Sequence, residues 1–192
     1  SPPIYIQADA TDPTDLARAR DEILSRFSQI HGLVHSAIVL DDKGIAAMEE
    51  AAFLSVFSAK AETGKAMAKV FAGVGLDFLA VFSSMASSGL APGQSNYAAG
   101  SAYLDALAKG LAREWSCPVK VINWGYWGST GIVADASTKE RMAKSGIGSI
   151  EPEEGMEAFT RLLNSPFNQL AFTKEKIATG PDEFVLLAPE AP

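Results

Sequence analysis

Short, nearly continuous apolar runs alternate along this chain with longer stretches in which apolar residues recur at helical spacing. Residues 4–8 read as a short strand ended by Asp9. Thr11-Asp12-Pro13 then supplies helix-start signals, and Leu16, Ala19, Ile23, Leu24 and Phe27 follow on one helical face. Residues 32–37 predict a second strand, apolar enough to imply burial on both faces. A turn at residues 41–44 leads into a long helical stretch over about residues 46–71. A third strand at residues 76–82 runs into Ser83-Ser84, and a Gly/Ser/Pro loop at 87–93 precedes a helix over 95–115. Residues 119–123 form the fourth strand, followed by a Gly-rich aromatic loop at 124–131. Helices near 138–144 and 152–163 and a last strand at 169–173 complete the pattern. Residues 1–178 are expected to be one unit, and residues 179–192 a linker-like tail with a short docking segment.

This alternation predicts an α/β fold around a parallel sheet. Ligands of such sheets sit beyond the carboxyl ends of the strands. The positions to weigh are therefore Asp9, Ser36-Ala37, Ser83-Ser84 and Trp124-Gly125.

Composition narrows the functional classes. Of 192 residues, 47% are hydrophobic and 20% charged, ordinary values for a globular domain. No stretch approaches the apolar length of a membrane span, and Ser1-Pro2-Pro3 does not open a signal peptide, so a cytoplasmic protein with no membrane partner is expected. A net charge of −7 with scattered Lys and Arg disfavours a nucleic-acid partner. The single Cys117 excludes an internal disulfide and reads as a small buried hydrophobe. His31 and His35 lie four apart in a strand-like run without a third ligand, so no metal site is expected.

The chemistry-bearing pair is Ser84, at the carboxyl end of the third strand, and Tyr97, thirteen residues later near a helix start. A loop with Pro92 and Gly93 lets both hydroxyls face one crevice. Two such groups over a carbonyl suit hydride reduction: a phenol gives the proton that the forming alkoxide needs, and a second donor holds the oxygen. A phenol works better beside a cation that stabilises phenolate. Taken singly, each residue has an ordinary explanation: Ser84 a cap, Tyr97 a packing residue, Lys60 a solvated charge, Asp41 and Asp42 a turn, and the loop tryptophans anchors.

Their joint order is what distinguishes them. Phe82-Ser83-Ser84, then Ala91-Pro92-Gly93-Gln94-Ser95-Asn96-Tyr97-Ala98-Ala99-Gly100 and Leu104-Asp105, resembles the active-site signature of modular polyketide-synthase ketoreductases, members of the short-chain dehydrogenase/reductase superfamily. The similarity spans roughly residues 4–176. It implies a Rossmann-like, doubly wound parallel sheet and NADPH-dependent reduction of a β-ketoacyl thioester to a β-hydroxyacyl thioester. The partner it implies is an acyl carrier protein bearing the chain on phosphopantetheine. By the same resemblance Tyr97 is the general acid, Ser84 the donor to the substrate carbonyl, and Lys60 the cation that lowers the tyrosine pKa and joins Tyr97 at the cofactor. Asp9 and Ala10 match an adenine-contacting segment, and Ser36 and Ala37 the turn beside the nicotinamide ribose. Leu40 and Asp42 resemble the Leu-Asp-Asp motif associated with a D-configured hydroxyl, and Trp127 falls in the loop leading to the substrate lid. Residues 146–152 resemble synthases served by a free-standing acyltransferase. Ser101 departs from the family, which places Asn four residues after the tyrosine; it could still exchange one hydrogen bond in a relay.

The chain contains no Gly-x-Gly-x-x-Gly, the loop that lets backbone approach a pyrophosphate. Its first matching segment is the superfamily's third strand, so the first two strands and that loop are expected from an upstream ketoreductase segment, and alone the chain should hold NADPH weakly and fold poorly. A non-catalytic ketoreductase-like module of a megasynthase is the alternative. A separate dehydrogenase acting on a free small molecule fits less well, because of the lysine placement and the acidic tail.

Overall fold

The computed structural model describes residues 2–89, 91–134 and 136–174. The tail expected at 179–192 lies outside the described residues. Helix α1 (Pro13–Arg26) starts where the sequence marks it: Pro13 occupies the first turn, and the Asp12 side chain accepts from the Thr14 N–H at 2.8 Å. Strand β1 is Gly32–His35, and helix α2 is Glu50–Val70. Strand β2 (Phe78–Ser84) leads through a short loop to helix α3 (Ser95–Glu114), then strand β3 (Val119–Trp124). Helices α4 (Ala136–Lys144) and α5 (Pro152–Leu163) and strand β4 (Gln169–Phe172) follow. Helix α5 opens on Pro152 with a capping box in which the Glu151 N–H donates to Glu154 Oε2 at 2.9 Å.

The sheet has the order β1-β2-β3-β4, parallel throughout, with Leu33 opposite Leu79, Val81 opposite Val121 and Ile122 opposite Leu170. Period-two alternation divides its side chains between two cores. Leu79, Val81, Val119 and Val121 pack on Met67 of α2 and Leu104, Ala108 and Leu111 of α3. On the other face Ile122 and Trp124 pack with Ile150 and Leu162, and Phe82 and Phe159 lean on them. Both faces of β2 and β3 are thus covered, which is why these strands read as continuous apolar runs.

Three expectations are corrected. Residues 4–8 form no strand: the sheet begins at β1, and without a neighbouring strand an extended segment has no ladder to join. Residues 32–37 are not buried on both faces; β1 stops at His35, is an edge, and leaves Val34 43% exposed. The long helix does not begin near residue 46. A single 3-10 turn, Ile45–Ala47, comes first, and α2 starts at Glu50 behind Glu49, whose side chain makes no cap.

A glycine marks the close approach of α2 and α3. A side chain at Gly64 of α2 would meet Leu104 and Leu107 of α3 at 2.9 Å, whereas one at Gly100 of α3 would lie in ordinary contact, 3.4 Å, with the α2 backbone at Phe57. This close crossing brings one turn of α2 against the first turns of α3, where the candidate residues stand.

Candidate active site

Four candidate residues converge at the carboxyl end of the sheet. Ser84 is the last residue of β2, and its Oγ accepts from the Ala86 N–H at 3.2 Å, which turns the chain into the Met85–Ser87 3-10 turn. Tyr97 and Ser101 lie one turn apart on α3, so both project from one face. Lys60 projects from α2 and is only 2% exposed; its Nζ lies 5.1 Å from the Tyr97 ring centroid and donates one long bond, 3.4 Å, to the Phe82 carbonyl. The hydroxyls of Ser84 and Ser101 both face the Tyr97 phenol and favour its ionised form. Ser101 is fully buried, and its Oγ has no partner of good hydrogen-bond geometry.

Burial dominates the electrostatics. It pushes the Tyr97 phenol above its ordinary pKa, and the negative charge of Asp42 adds to that, against the pull of Ser84 and Ser101. Burial also lowers the Lys60 ammonium to about 8, with Asp105 opposing the shift. His35, at the end of β1, is driven down to about 4 by burial and by the Lys60 charge, so its ring is neutral at pH 7. Lys60 is thus protonated at pH 7 and neutral a unit or two above 8.

The loop that carries Leu40 and Asp42 is tied to the segment before Tyr97. Lys43 N–H donates to the Gly93 carbonyl at 2.9 Å, Gln94 Nε2 to Asp42 Oδ2 at 2.7 Å, and Asn96 Nδ2 to the Asp41 carbonyl at 2.9 Å. Asn96, fully buried, also accepts the Tyr97 N–H at 2.8 Å, so one amide joins this loop to the tyrosine's backbone. Leu40 is half-buried and Asp42 exposed.

The remaining candidates stand apart from this cluster. Asp9 closes on its own turn: its Oδ1 accepts from the Thr11 N–H and hydroxyl at 2.9 and 2.7 Å, which holds the carboxyl below its usual pKa. Ala10 sits in the same turn. Ser36, exposed, and Ala37, half-buried, follow the carboxyl end of β1. Trp127 packs edge-on against Trp124 with centroids 4.9 Å apart, and its ring covers Gly155 of α5 where no side chain would fit.

Sequence reasoning quoted Asp105 within the signature but did not connect it with Asn123 and Gln169 in a polar network beneath Tyr97 and Ser101. Asp105, one more turn along α3, accepts through Oδ2 from Asn123 Nδ2 at 2.9 Å and Gln169 Nε2 at 3.2 Å. Gln169 also donates to Asn123 Oδ1 at 2.8 Å, and Asn123 Nδ2 reaches Ser87 Oγ at 2.9 Å. The spacing of Tyr97, Ser101 and Asp105 at i, i+4 and i+8 places the three on one side of α3 but does not report the partners of Asp105 on β3 and β4.

This parallel α/β fold is shared with a short-chain dehydrogenase. A short-chain dehydrogenase from Streptomyces avermitilis superposes with a TM-score of 0.71 at 17% identity, covering 86% of this chain and 68% of that one. A ketoreductase domain from the bacillaene assembly line superposes with a TM-score of 0.84 at 24% identity, covering 91% of this chain and 43% of that one. A family model described as KR domain matches residues 4–129, and the chain belongs to that family. Polyketide synthase PksN of Bacillus subtilis (strain 168) is 46% identical over 172 residues, which is 90% of this chain and 3% of the relative. The chain therefore spans only a few per cent of the length of curated relatives such as this one.

Proposed function

We propose that this chain is the catalytic portion of a polyketide-synthase ketoreductase domain, reducing a β-ketoacyl thioester held on an acyl carrier protein. The observation that carries this reading is the buried Lys60 ammonium against the ring of Tyr97, whose phenol is flanked by the hydroxyls of Ser84 and Ser101. Membership of the KR family and the likeness to a synthase such as PksN support the synthase setting. Residues 146–152 and the Bacillus relative favour a synthase served by a free-standing acyltransferase.

The residues present fit the nicotinamide half of NADPH. Lys60 commits one proton to a long bond with Phe82, which leaves two for ribose hydroxyls. Ser36 and Ala37 stand at the open carboxyl end of β1. The cofactor, when bound, supplies the hydride. Ser84 donates to the substrate carbonyl oxygen and fixes its position. Tyr97 gives its phenolic proton to the oxygen as negative charge develops there. A phenol held above its usual pKa is fully protonated beforehand, and the Lys60 cation stabilises the phenolate left behind. Asp42, tethered by Gln94 beside this phenol, is the residue we assign to a D-configured product. Trp127 and Leu40 frame the substrate side, and Asp9 with Ala10 the adenine side.

Among the described residues β1 has a strand neighbour on one side only, and Val34 within it and Ile38 and Val39 just after it are each more than two-fifths exposed; this supports an upstream segment that adds strands and the glycine-rich phosphate loop. A second reading, a non-catalytic module, is favoured by one observation: Ser101 leaves a buried hydroxyl without a hydrogen-bond partner where the family carries an amide.

The two readings separate in one experiment. The domain, extended upstream, is given NADPH and a β-ketoacyl thioester surrogate. We expect cofactor consumption that is lost in Tyr97→Phe, by at least a hundredfold on the scale of general-acid effects, with NADPH affinity nearly unchanged. Turnover retained in Tyr97→Phe removes this tyrosine from the role. Cofactor binding without turnover in the unmutated domain favours the non-catalytic module.

A further inference from the structure

One side chain joins the strand that carries Ser84 to the helix that carries Tyr97. Ser84 ends β2, and the Met85–Ser87 turn follows it at once. Asn123 of β3, 4% exposed, reaches both ends of that turn: its Nδ2 donates to the Ser84 carbonyl at 3.2 Å and to Ser87 Oγ at 2.9 Å. Inside the turn Ser84 Oγ accepts from the Ala86 N–H at 3.2 Å, which orients the hydroxyl and leaves its own proton free to donate. On the far side the same Nδ2 donates to Asp105 Oδ2 at 2.9 Å, two turns along α3 from Tyr97. Gln169 Nε2 donates to Asn123 Oδ1 at 2.8 Å and so sets which end of the amide faces the turn.

Packing alone does not call for an amide here. Every residue of β3 is buried, and the neighbours Val121, Ile122 and Trp124 are apolar, so a polar side chain at 123 is costly unless its bonds repay it. Three acceptors share the two Nδ2 hydrogens, which makes the turn and α3 partners of a single donor group. A carboxylate would bring them no hydrogen, and a hydroxyl only one. We propose that Asn123 is a positioning residue of this site: its amide clamps the turn after Ser84 and thereby sets where the serine hydroxyl stands relative to Tyr97. The proposal rests on the ketoreductase reading for its effect on turnover, because there both hydroxyls act on one carbonyl oxygen, and a small misplacement of either lowers the rate. Its effect on the turn itself rests on the geometry alone.

The test is a double-mutant cycle of Asn123→Leu and Ser84→Ala in the complete ketoreductase domain, read as kcat with saturating NADPH and β-ketoacyl thioester surrogate. We expect Asn123→Leu to lower kcat about tenfold, part of the roughly hundredfold or greater loss when a donor to a developing oxyanion is deleted. NADPH affinity should stay nearly unchanged. In the Ser84→Ala background the same substitution should cost less than about twofold, because no hydroxyl remains to be placed. Losses that multiply in full would show a structural brace only and overturn the proposal, whatever the melting temperature. Should Asn123→Leu fail to fold, Ser87→Ala decides, since it frees one end of the turn and keeps the amide. It should lower kcat about threefold, the scale of one weak neutral hydrogen bond, and again only while Ser84 is present; an unchanged kcat overturns the proposal. If the unmutated domain binds NADPH and reduces nothing, the ketoreductase reading fails, and amide hydrogen exchange at Ala86 tests the clamp without turnover. Exchange that quickens at Ala86 in the variant, while the amides of β2 and β3 hold, upholds the clamp; an unchanged Ala86 overturns it.

Discussion

Asn123→Leu tests whether the polar network under the site joins α3 to the sheet or merely decorates it. The two side chains are close in size, so packing changes little and the loss falls on hydrogen bonds. Asn123 is 4% exposed and gives its amide to Asp105 at 2.9 Å and Ser87 at 2.9 Å, while accepting from Gln169 at 2.8 Å. A bond to a charged acceptor contributes about 1.5–3 kcal/mol and a neutral one about 0.5–1.5 kcal/mol. A buried leucine recovers about 1 kcal/mol through added apolar burial. The net loss should be about 2–4 kcal/mol, or roughly 5–15 °C in melting temperature for a domain of this size. Urea unfolding of the complete domain measures it, as a lower midpoint with an unchanged slope. Gln169→Leu in the same background should then cost less than it does alone, since the two amides bond each other. A loss under about 1 kcal/mol, well below the range for one charged bond, with strict additivity of the two variants, would refute the reasoning.

Two further outcomes follow from buried lysines. Lys60 is charged below about 8 and neutral above it, because burial depresses its pKa, so reduction should fall about tenfold per pH unit beyond that point. In Lys60→Arg the cation persists at all accessible pH, so the profile, scaled to its own maximum, should stay flat where the unmutated domain declines; a decline that survives assigns the limb to another group. Lys120 lies far from this chemistry: 5% exposed, it donates to the Ser165 and Phe167 carbonyls at 2.9 and 2.7 Å beyond the end of α5. Lys120→Met should destabilise the domain by about 2–4 kcal/mol while leaving turnover at low temperature unchanged, since two charge-assisted bonds go and two carbonyls lose their donor. Equal stability by thermal denaturation would mean that the carbonyls are rehydrated at no cost.

What the amino-acid sequence discloses here depends on whether a feature is decided locally. Asp12-Pro13 starts α1 and Pro152 starts α5 where expected, because caps act within one turn. Residues 4–8 fail as a strand for the opposite reason: apolar character confers the tendency, but a strand exists only when a neighbour supplies the ladder. Ser84 and Tyr97 were legible from their places at a strand end and a helix start. Lys60 was legible only through family resemblance, since nothing local separates a buried helix lysine from a solvated one. Asp105 meets Asn123 across 18 residues of chain and Gln169 across 64, and no pattern within one element reports such a meeting. Gly64 connects these levels. It looks like a weak point in α2, yet a side chain there would meet Leu104 and Leu107 of α3 at 2.9 Å, and the same helix pair places Lys60 against the Tyr97 ring. The proton affinities of the site are therefore set by helix packing as much as by the residues that titrate.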